Sequence, residues 1–244
     1  SPRDRYYVSS NDKNAIIVDF FAGSGSTGHA VMELNKTDSG NRRFILIQLP
    51  EQLDPEDKDQ KAAWKYCDKL GVPHNIAQLT KERLRRAGSE VAKENPMFHV
   101  DVGFRVYKLD TSNITSWDAR TDDLAKTLQE SVEHVKADRS EADVLYELLL
   151  KLGLDLCVPI ESRDIAGKQV HAIGGGVLMA CLVPEIKATD VDALGLGIVE
   201  WHKALAPAGD TTCVFRDSAF ADDVAKTNLA AILEQNGISN VRSL

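Results

Sequence analysis

The chemistry in this chain is concentrated in one stretch, Asp19-Phe20-Phe21-Ala22-Gly23-Ser24-Gly25-Ser26-Thr27-Gly28. A carboxylate leads three glycines at G-x-G-x-x-G spacing, with hydroxyls between and after them. Small residues let a backbone come close to a ligand and aim its N–H groups at it. The spacing alone is a weak signal, and the residues in front of it narrow the choice. In a dinucleotide site the first glycine comes straight off its strand, whereas here Asp19 stands four residues ahead of Gly23. A P-loop requires Lys directly after Gly28, where this chain has His29. A carboxylate at the strand end would repel a pyrophosphate and suits a ligand with a cationic amino-acid portion.

The elements that must hold this stretch follow from the pattern around it. Residues 15–18 are apolar and mostly β-branched, as a buried parallel strand requires, and residues 29–34 continue as a helix ending near Asn35. Lys36 to Asn41 is loop chemistry, and residues 44–47 form a second strand stopped by Pro50. A helix is expected over 61–70 with Gly71 as its terminal glycine, and another from Thr80 as N-cap to about Glu94. Residues 99–109 alternate as a long strand or hairpin with a bend at Gly103. The polar, irregular stretch 111–121 is the expected domain boundary. Beyond it come helices over 122–136 and 141–152, then short strands over 156–160, 169–173 and 177–182. Gly174-Gly175-Gly176 turns the last two into a hairpin. A helix over 190–205, a strand over 212–216, a helix over 221–235 and a strand over 240–244 complete the pattern.

Composition bounds the rest. At 244 residues, 43% hydrophobic and 27% charged, the chain has the makeup of a soluble globular protein of one or two domains. No apolar run approaches the roughly 18 residues of a membrane span. Ser1-Pro2-Arg3-Asp4-Arg5 reads neither as a signal peptide nor as a natural start, so the chain reads as a fragment. Cys67, Cys157, Cys181 and Cys213 have no C-x-x-C spacing, which favours free thiols in a reducing cytoplasm over zinc or a disulfide scaffold. The net charge of −8 hides an imbalance. Residues 61–93 carry eight basic and three acidic side chains, while 139–244 carry nine basic and fifteen acidic.

An acid at a strand end followed by F-x-G-x-G resembles the cofactor loop of S-adenosylmethionine-dependent methyltransferases. Asp19 to Thr27 is similar to this motif in amino-DNA methyltransferases that carry it late in the chain. Four further stretches resemble the modification subunit of type III restriction–modification systems: Arg43-Phe44-Ile45-Leu46-Ile47-Gln48-Leu49-Pro50-Glu51, Lys81-Glu82-Arg83-Leu84-Arg85-Arg86-Ala87-Gly88, Asp101-Val102-Gly103-Phe104-Arg105-Val106, and Phe215-Arg216-Asp217-Ser218-Ala219-Phe220. The resemblance extends over essentially the whole chain.

What it implies is an adenine-N6 DNA methyltransferase that uses S-adenosylmethionine, acts on double-stranded DNA as a homodimer, and assembles with a helicase-nuclease restriction subunit. The implied fold is α/β: part of a Rossmann-like methyltransferase sheet over 1–110, a linker and helix over 111–138, and a small α/β domain over 139–244. Cofactor contacts carry over to Asp19, Phe20, Ala22, Gly23, Gly25 and Thr27. Gln48, and after it Glu51, fall where the family places a group for the ribose hydroxyls. The family's catalytic loop, Asp/Asn/Ser-Pro-Pro-aromatic, orients the target amine and stacks on the flipped base. This chain has no Pro-Pro. Asn95-Pro96-Met97-Phe98 is the nearest sequence, follows a basic helix, and reads as a helix stop. No catalytic residue is therefore assigned, and methyl transfer by this stretch alone is not expected. The other reading is a non-catalytic dimerisation or docking module with a methyltransferase-like fold.

Other candidates carry less. Lys81, Arg85 and Arg86 could meet DNA phosphates, although Glu82 and Glu90 beside them suit an ordinary solvated helix face. The six histidines lack ligand spacing, so no metal site is assigned. Ser218 has no nucleophile context and reads as part of a turn into the next helix. Trp64, Trp117 and Trp201 read as core or interface. The acidic excess after Arg139 suits subunit contacts better than DNA.

Overall fold

The structure is a computed structural model that describes residues 11–94, 101–115 and 135–244. Two compact units are present, Ser1–Val106 and Tyr107–Leu244.

In the first unit, strand β1 (Ile16–Asp19) leads through the glycine stretch into helix α1 (Ser26–Asp38), which returns the chain to strand β2 (Arg43–Leu46). The strands pair in parallel, with Ile16 opposite Arg43 and Asp19 opposite Leu46. Parallel neighbours need a crossover, and α1 supplies it. The helix runs to Asp38, three residues past its expected end. Its extra turn is held by charge: Lys36 bridges Glu33 and Glu94, and Asp38 pairs with the buried Arg42 at 2.8 Å. Asn35 then closes the turn, its amide exchanging hydrogen bonds with the Arg42 backbone at 2.8 and 3.0 Å.

Helix α2 (Lys61–Leu70) ends at Gly71 in the left-handed region, φ 65°, as its sequence implies. Helix α3 (Ile76–Glu94) corrects the expected start at Thr80. Its cap is Asn75, whose Oδ1 accepts the Gln78 N–H at 3.2 Å, and Thr80 lies buried inside the helix. Met32, Leu84, Ala87 and Val91 form the core, with Phe44, Leu46, Val102 and Phe104 against them. The expected strand over 99–109 is absent from its described part, 101–109. Its alternation has another cause: an extended chain lies on α3 and sets Val102 and Phe104 into the core. Val102 passes so close that a Cβ on Gly88 would sit 3.2 Å from its carbonyl oxygen. On the far side of the β1–β2 pair, Ile16, Val18, Ile45, Ile47 and Leu49 are exposed.

The second unit is built on a five-stranded sheet in chain order: β3 (Ile160–Ile165), β4 (Lys168–Ile173), β5 (Leu178–Cys181), β6 (Thr212–Phe215) and β7 (Asn240–Ser243). The first three strands are antiparallel and the last three parallel. Helices α5 (Val191–Leu205) and α6 (Asp223–Gln235) pack with Met179, Cys181, Cys213 and Phe215. Helix α4 (Glu141–Lys151) packs with the alternate residues Leu178, Ala180 and Val214. Residues 178–181 are all buried, so their uninterrupted apolar run marks a strand covered on both faces.

Gly174-Gly175-Gly176 joins β4 to β5 as expected. The strand placed at 156–160 instead begins at Ile160. It is the polar edge of a hairpin turned by Ala166 and Gly167, both with positive φ. Alanine is rare in such a turn, which hid the hairpin. Trp117 and most of the expected 122–136 helix lie outside the described residues.

The start of this unit is tied to α4 by Glu147, which accepts hydrogen bonds from Ser112 Oγ at 2.5 Å and Asn113 N–H at 2.6 Å and pairs with Lys151 at 2.8 Å. Burial works against its charge, yet those partners outweigh it and hold the carboxyl at about 2, below its ordinary 4.5. A depressed carboxyl contributes stability that is complete above its unfolded value and is lost as pH falls through the folded one. In urea unfolding, Glu147→Gln should lower stability at pH 7. That difference from the wild type should shrink between pH 4.5 and 2.

Candidate functional site

The glycine stretch is fixed from several sides. Asp19 ends β1 and its two carboxylate oxygens divide their work: Oδ1 accepts the Phe21 N–H at 3.0 Å, and Oδ2 accepts the Thr27 hydroxyl at 2.6 Å. The loop is thereby folded back over the strand end. Ala22 is buried and donates its N–H to the Ile47 carbonyl at 3.1 Å. The Gly23 N–H donates to Gln48 Oε1 at 2.7 Å, and Gln48 Nε2 is anchored on the Leu49 carbonyl at 3.0 Å. Thr80 donates its hydroxyl to the Gly23 carbonyl from α3.

Two of the glycines have a conformational reason. Gly25 has φ 83° and donates to the Ala22 carbonyl at 2.7 Å. A Cβ there would also lie 3.2 Å from the Thr80 carbonyl oxygen. Gly28 is needed for closeness, because its Cβ would fall 2.7 Å from Leu84 and 3.0 Å from Leu46. Helix α1 thus begins from a left-handed glycine, and no side chain caps it. Its first amides, at Ser26 and Thr27, have no acceptor within the helix. They carry the partial positive charge of the helix N-terminus beside the Asp19 carboxylate. The strand end therefore sets a negatively charged acceptor beside the uncapped donors of the helix start.

Asp19, Ala22, Gly23, Gly25, Thr27 and Gln48 are gathered into this arrangement. Phe20 and Phe21 stand at its edge, 65% and 89% exposed. Glu51 lies past Pro50; its backbone carbonyl receives the Ile76 N–H at 3.1 Å and its side chain is exposed. Thr80 belongs to the site although its sequence position suggested a cap. A threonine one turn into an amphipathic helix gives no local sign of a contact 57 residues away.

On α3, Arg86 donates to Glu82 Oε1 at 2.7 Å and lies over the Tyr66 ring at 5.2 Å. The Glu82 carboxylate raises its pKa further. Arg85 lies 3.8 Å from the same Glu82, so one acid sits between both arginines. Trp64 stacks on His74 at 4.0 Å, and His74 bonds Asp68 at 2.9 Å. Asn95-Pro96-Met97-Phe98 lies outside the described residues. Among the described residues no group of three His, Cys, Asp or Glu could hold a metal. No helix there is long and apolar enough to cross a membrane.

In the second unit, Ser218 sits in a short turn, Asp217–Ala219, and its Oγ accepts from Arg216 Nε at 3.0 Å. Asp222, rather than that turn, caps α6 through the Ala225 N–H at 2.7 Å. Trp201 is buried.

Three relatives bear on the chain. The Mod subunit of the type III restriction-modification enzyme EcoP15I from Escherichia coli is 32% identical over 209 residues, 80% of this chain and 27% of that protein. That of EcoPI from Escherichia phage P1 is 28% identical over 186 residues, 75% of this chain and 26% of its own length. The StyLTI Mod subunit of Salmonella typhimurium is 36% identical over 100 residues, 41% of this chain and 14% of that protein. No family model matches. The chain spans about a quarter of the length of the EcoP15I and EcoPI subunits. It is related over most of its own length to part of the type III Mod subunits, as the motifs implied.

The positive-φ glycines give a direct check of the geometry. Gly71→Ala meets no neighbour within 4 Å, so it should lose only the left-handed penalty, roughly 1–2 kcal/mol. Gly25→Ala adds the contact with the Thr80 backbone and should lose about 1 kcal/mol more. Urea unfolding followed by tryptophan fluorescence compares the two.

Proposed function

We propose that this chain, a relative of part of the type III Mod subunits, supplies the S-adenosylmethionine-binding segment of a DNA adenine-N6 methyltransferase. The observation that carries the reading is the uncapped start of α1 beside Asp19. The amino-acid end of S-adenosylmethionine is a zwitterion, and the turn offers a partner for each charge. Asp19 has used one acceptor position on each oxygen and retains others for an ammonium group. The amides at Ser26 and Thr27 suit a carboxylate. A pyrophosphate would meet the Asp19 carboxylate instead and be repelled.

When bound, the cofactor supplies a methyl group on a cationic sulfur. The chain's own residues hold and orient it. Asp19, Phe20, Ala22, Gly23, Gly25 and Thr27 form the amino-acid side. Gln48, with one lone pair left on Oε1, and the exposed Glu51 are the groups for the ribose hydroxyls. The exposed apolar face of Ile16, Val18, Ile45, Ile47 and Leu49 supports a Rossmann-like sheet with a further layer packed there, because parallel strands are ordinarily covered on both faces. None of the chain's eight prolines adjoins another, so it offers no Pro-Pro loop to orient an adenine amine. Binding without transfer is the resulting activity.

Calorimetry should detect S-adenosylmethionine binding, weakened about tenfold or more in Asp19→Ala, since hydrogen bonds to a charged group are worth about 1.5–3 kcal/mol. Labelled cofactor with adenine-containing duplex DNA should show no methyl transfer above background. Absence of binding overturns the cofactor reading, and transfer overturns the division of labour.

The charge of 139–244 favours a role for the second unit in subunit contacts, with a second copy and with a helicase-nuclease restriction subunit. Nine basic against fifteen acidic residues make a poor surface for a polyanion. The chain should be dimeric in sedimentation or should bind the restriction subunit. A monomer that binds none removes this role.

A further inference from the structure

We infer that Thr80 is a positioning residue of the glycine loop, setting the Gly23–Gly25 backbone in the form that receives the ligand. The inference rests on the cofactor reading above and adds to it a residue outside the loop, on a different helix.

Thr80 is buried, 6% exposed, within α3. A buried hydroxyl needs a partner, and this one has two carbonyls within reach: Gly23 at 2.5 Å and Ile76 at 3.1 Å. A hydroxyl has a single proton to give. The Ile76 carbonyl, four residues back, is the ordinary fallback for a helical threonine and already serves the helix's own ladder. The Gly23 carbonyl lies outside that ladder, so the proton given to Gly23 couples α3 to the loop. Gly23 is then held at both ends of its residue, its N–H by Gln48 from the segment just past β2 and its carbonyl by Thr80 from α3. With φ at 52°, Gly23 occupies a conformation that a free glycine shares with several others, so two opposed hydrogen bonds select it.

The same side chain has a second role through its methyl group. Thr80 Cγ2 lies 3.0 Å, and the Thr80 carbonyl oxygen 3.2 Å, from where a Cβ on Gly25 would be. The methyl therefore packs under Gly25, the residue from which α1 starts. One residue thus sets the carbonyl of the first glycine and the height of the second. The uncapped amides at Ser26 and Thr27 follow directly after them.

The hydroxyl and the methyl can be separated. Thr80→Val keeps the shape and loses the proton; Thr80→Ser keeps the proton and loses the methyl. Hydrogen exchange of the ligand-free whole chain reads the loop without any cofactor. Thr80→Val should speed exchange of the amides across residues 22–28 about fivefold, the value of one net hydrogen bond, while α2 exchanges as in the wild type. Thr80→Ser should restore protection at Gly23. S-adenosylmethionine affinity by calorimetry should fall by about the same factor in Thr80→Val and recover in part in Thr80→Ser, which still lacks the methyl under Gly25. Unchanged exchange across 22–28 in Thr80→Val overturns the inference, as does slackening of the whole first unit in that variant. If the wild type binds no cofactor while exchange responds as stated, the cofactor reading fails and the positioning role stands.

Discussion

The first unit depends on the way one glycine is gripped. Gly23 has no side chain to lock it, so its conformation is imposed through its two backbone polar groups, one bonded from the segment just past β2 and the other from α3. Asp19 completes the constraint by holding Phe21 and Thr27 on either side. Each of these bonds contributes about 1 kcal/mol net, and together they remove freedom that glycine would otherwise keep. A loop ordered before the ligand arrives does not spend binding energy on becoming ordered. The strand, the helix start and the third element all converge here, which explains why α3 packs so closely against α1.

The closeness has its own signature. Gly28 and Gly88 both stand where a Cβ would press on a neighbour: Gly28 on Leu84 and Leu46, Gly88 on Val102. They bring α1 against the strand pair and α3 against the extended segment, and the small core of Met32, Leu84, Ala87 and Val91 is what that approach leaves room for. The opposite face of the strand pair is as apolar as a buried one and is exposed. The second unit shows the contrast, since residues 178–181 are covered by helices on both faces.

Most elements were legible in the sequence because their signals are local. A β-branched run, a terminal glycine at Gly71 and a triple glycine before an apolar strand each act within a few residues. The misreadings share a cause in longer-range contacts. Thr80 looks like a cap because threonine favours caps, yet Asn75 has that position and Thr80 is drawn inward by Gly23. Alternation over 101–109 suggests a strand, but lying on a helix produces the same period. The β3 edge carries Glu161, Ser162, Arg163 and Asp164 between Ile160 and Ile165, and no apolar alternation announces it. Lys36 and Asp38 read as loop residues, and ion pairs to Glu94 and Arg42 keep them helical.

By itself the sequence determined the strand, the turn and the helix start, because glycine spacing and a leading carboxylate act on their immediate neighbours. It also implied the relationship to Mod subunits that the relatives bear out. Only the tertiary structure decided how the turn is held. Gln48 is 25 residues from Gly23 and Thr80 is 57. Side chains so far away in sequence reach one glycine only after the strands have paired and α3 has packed, and no local pattern encodes which of them will arrive.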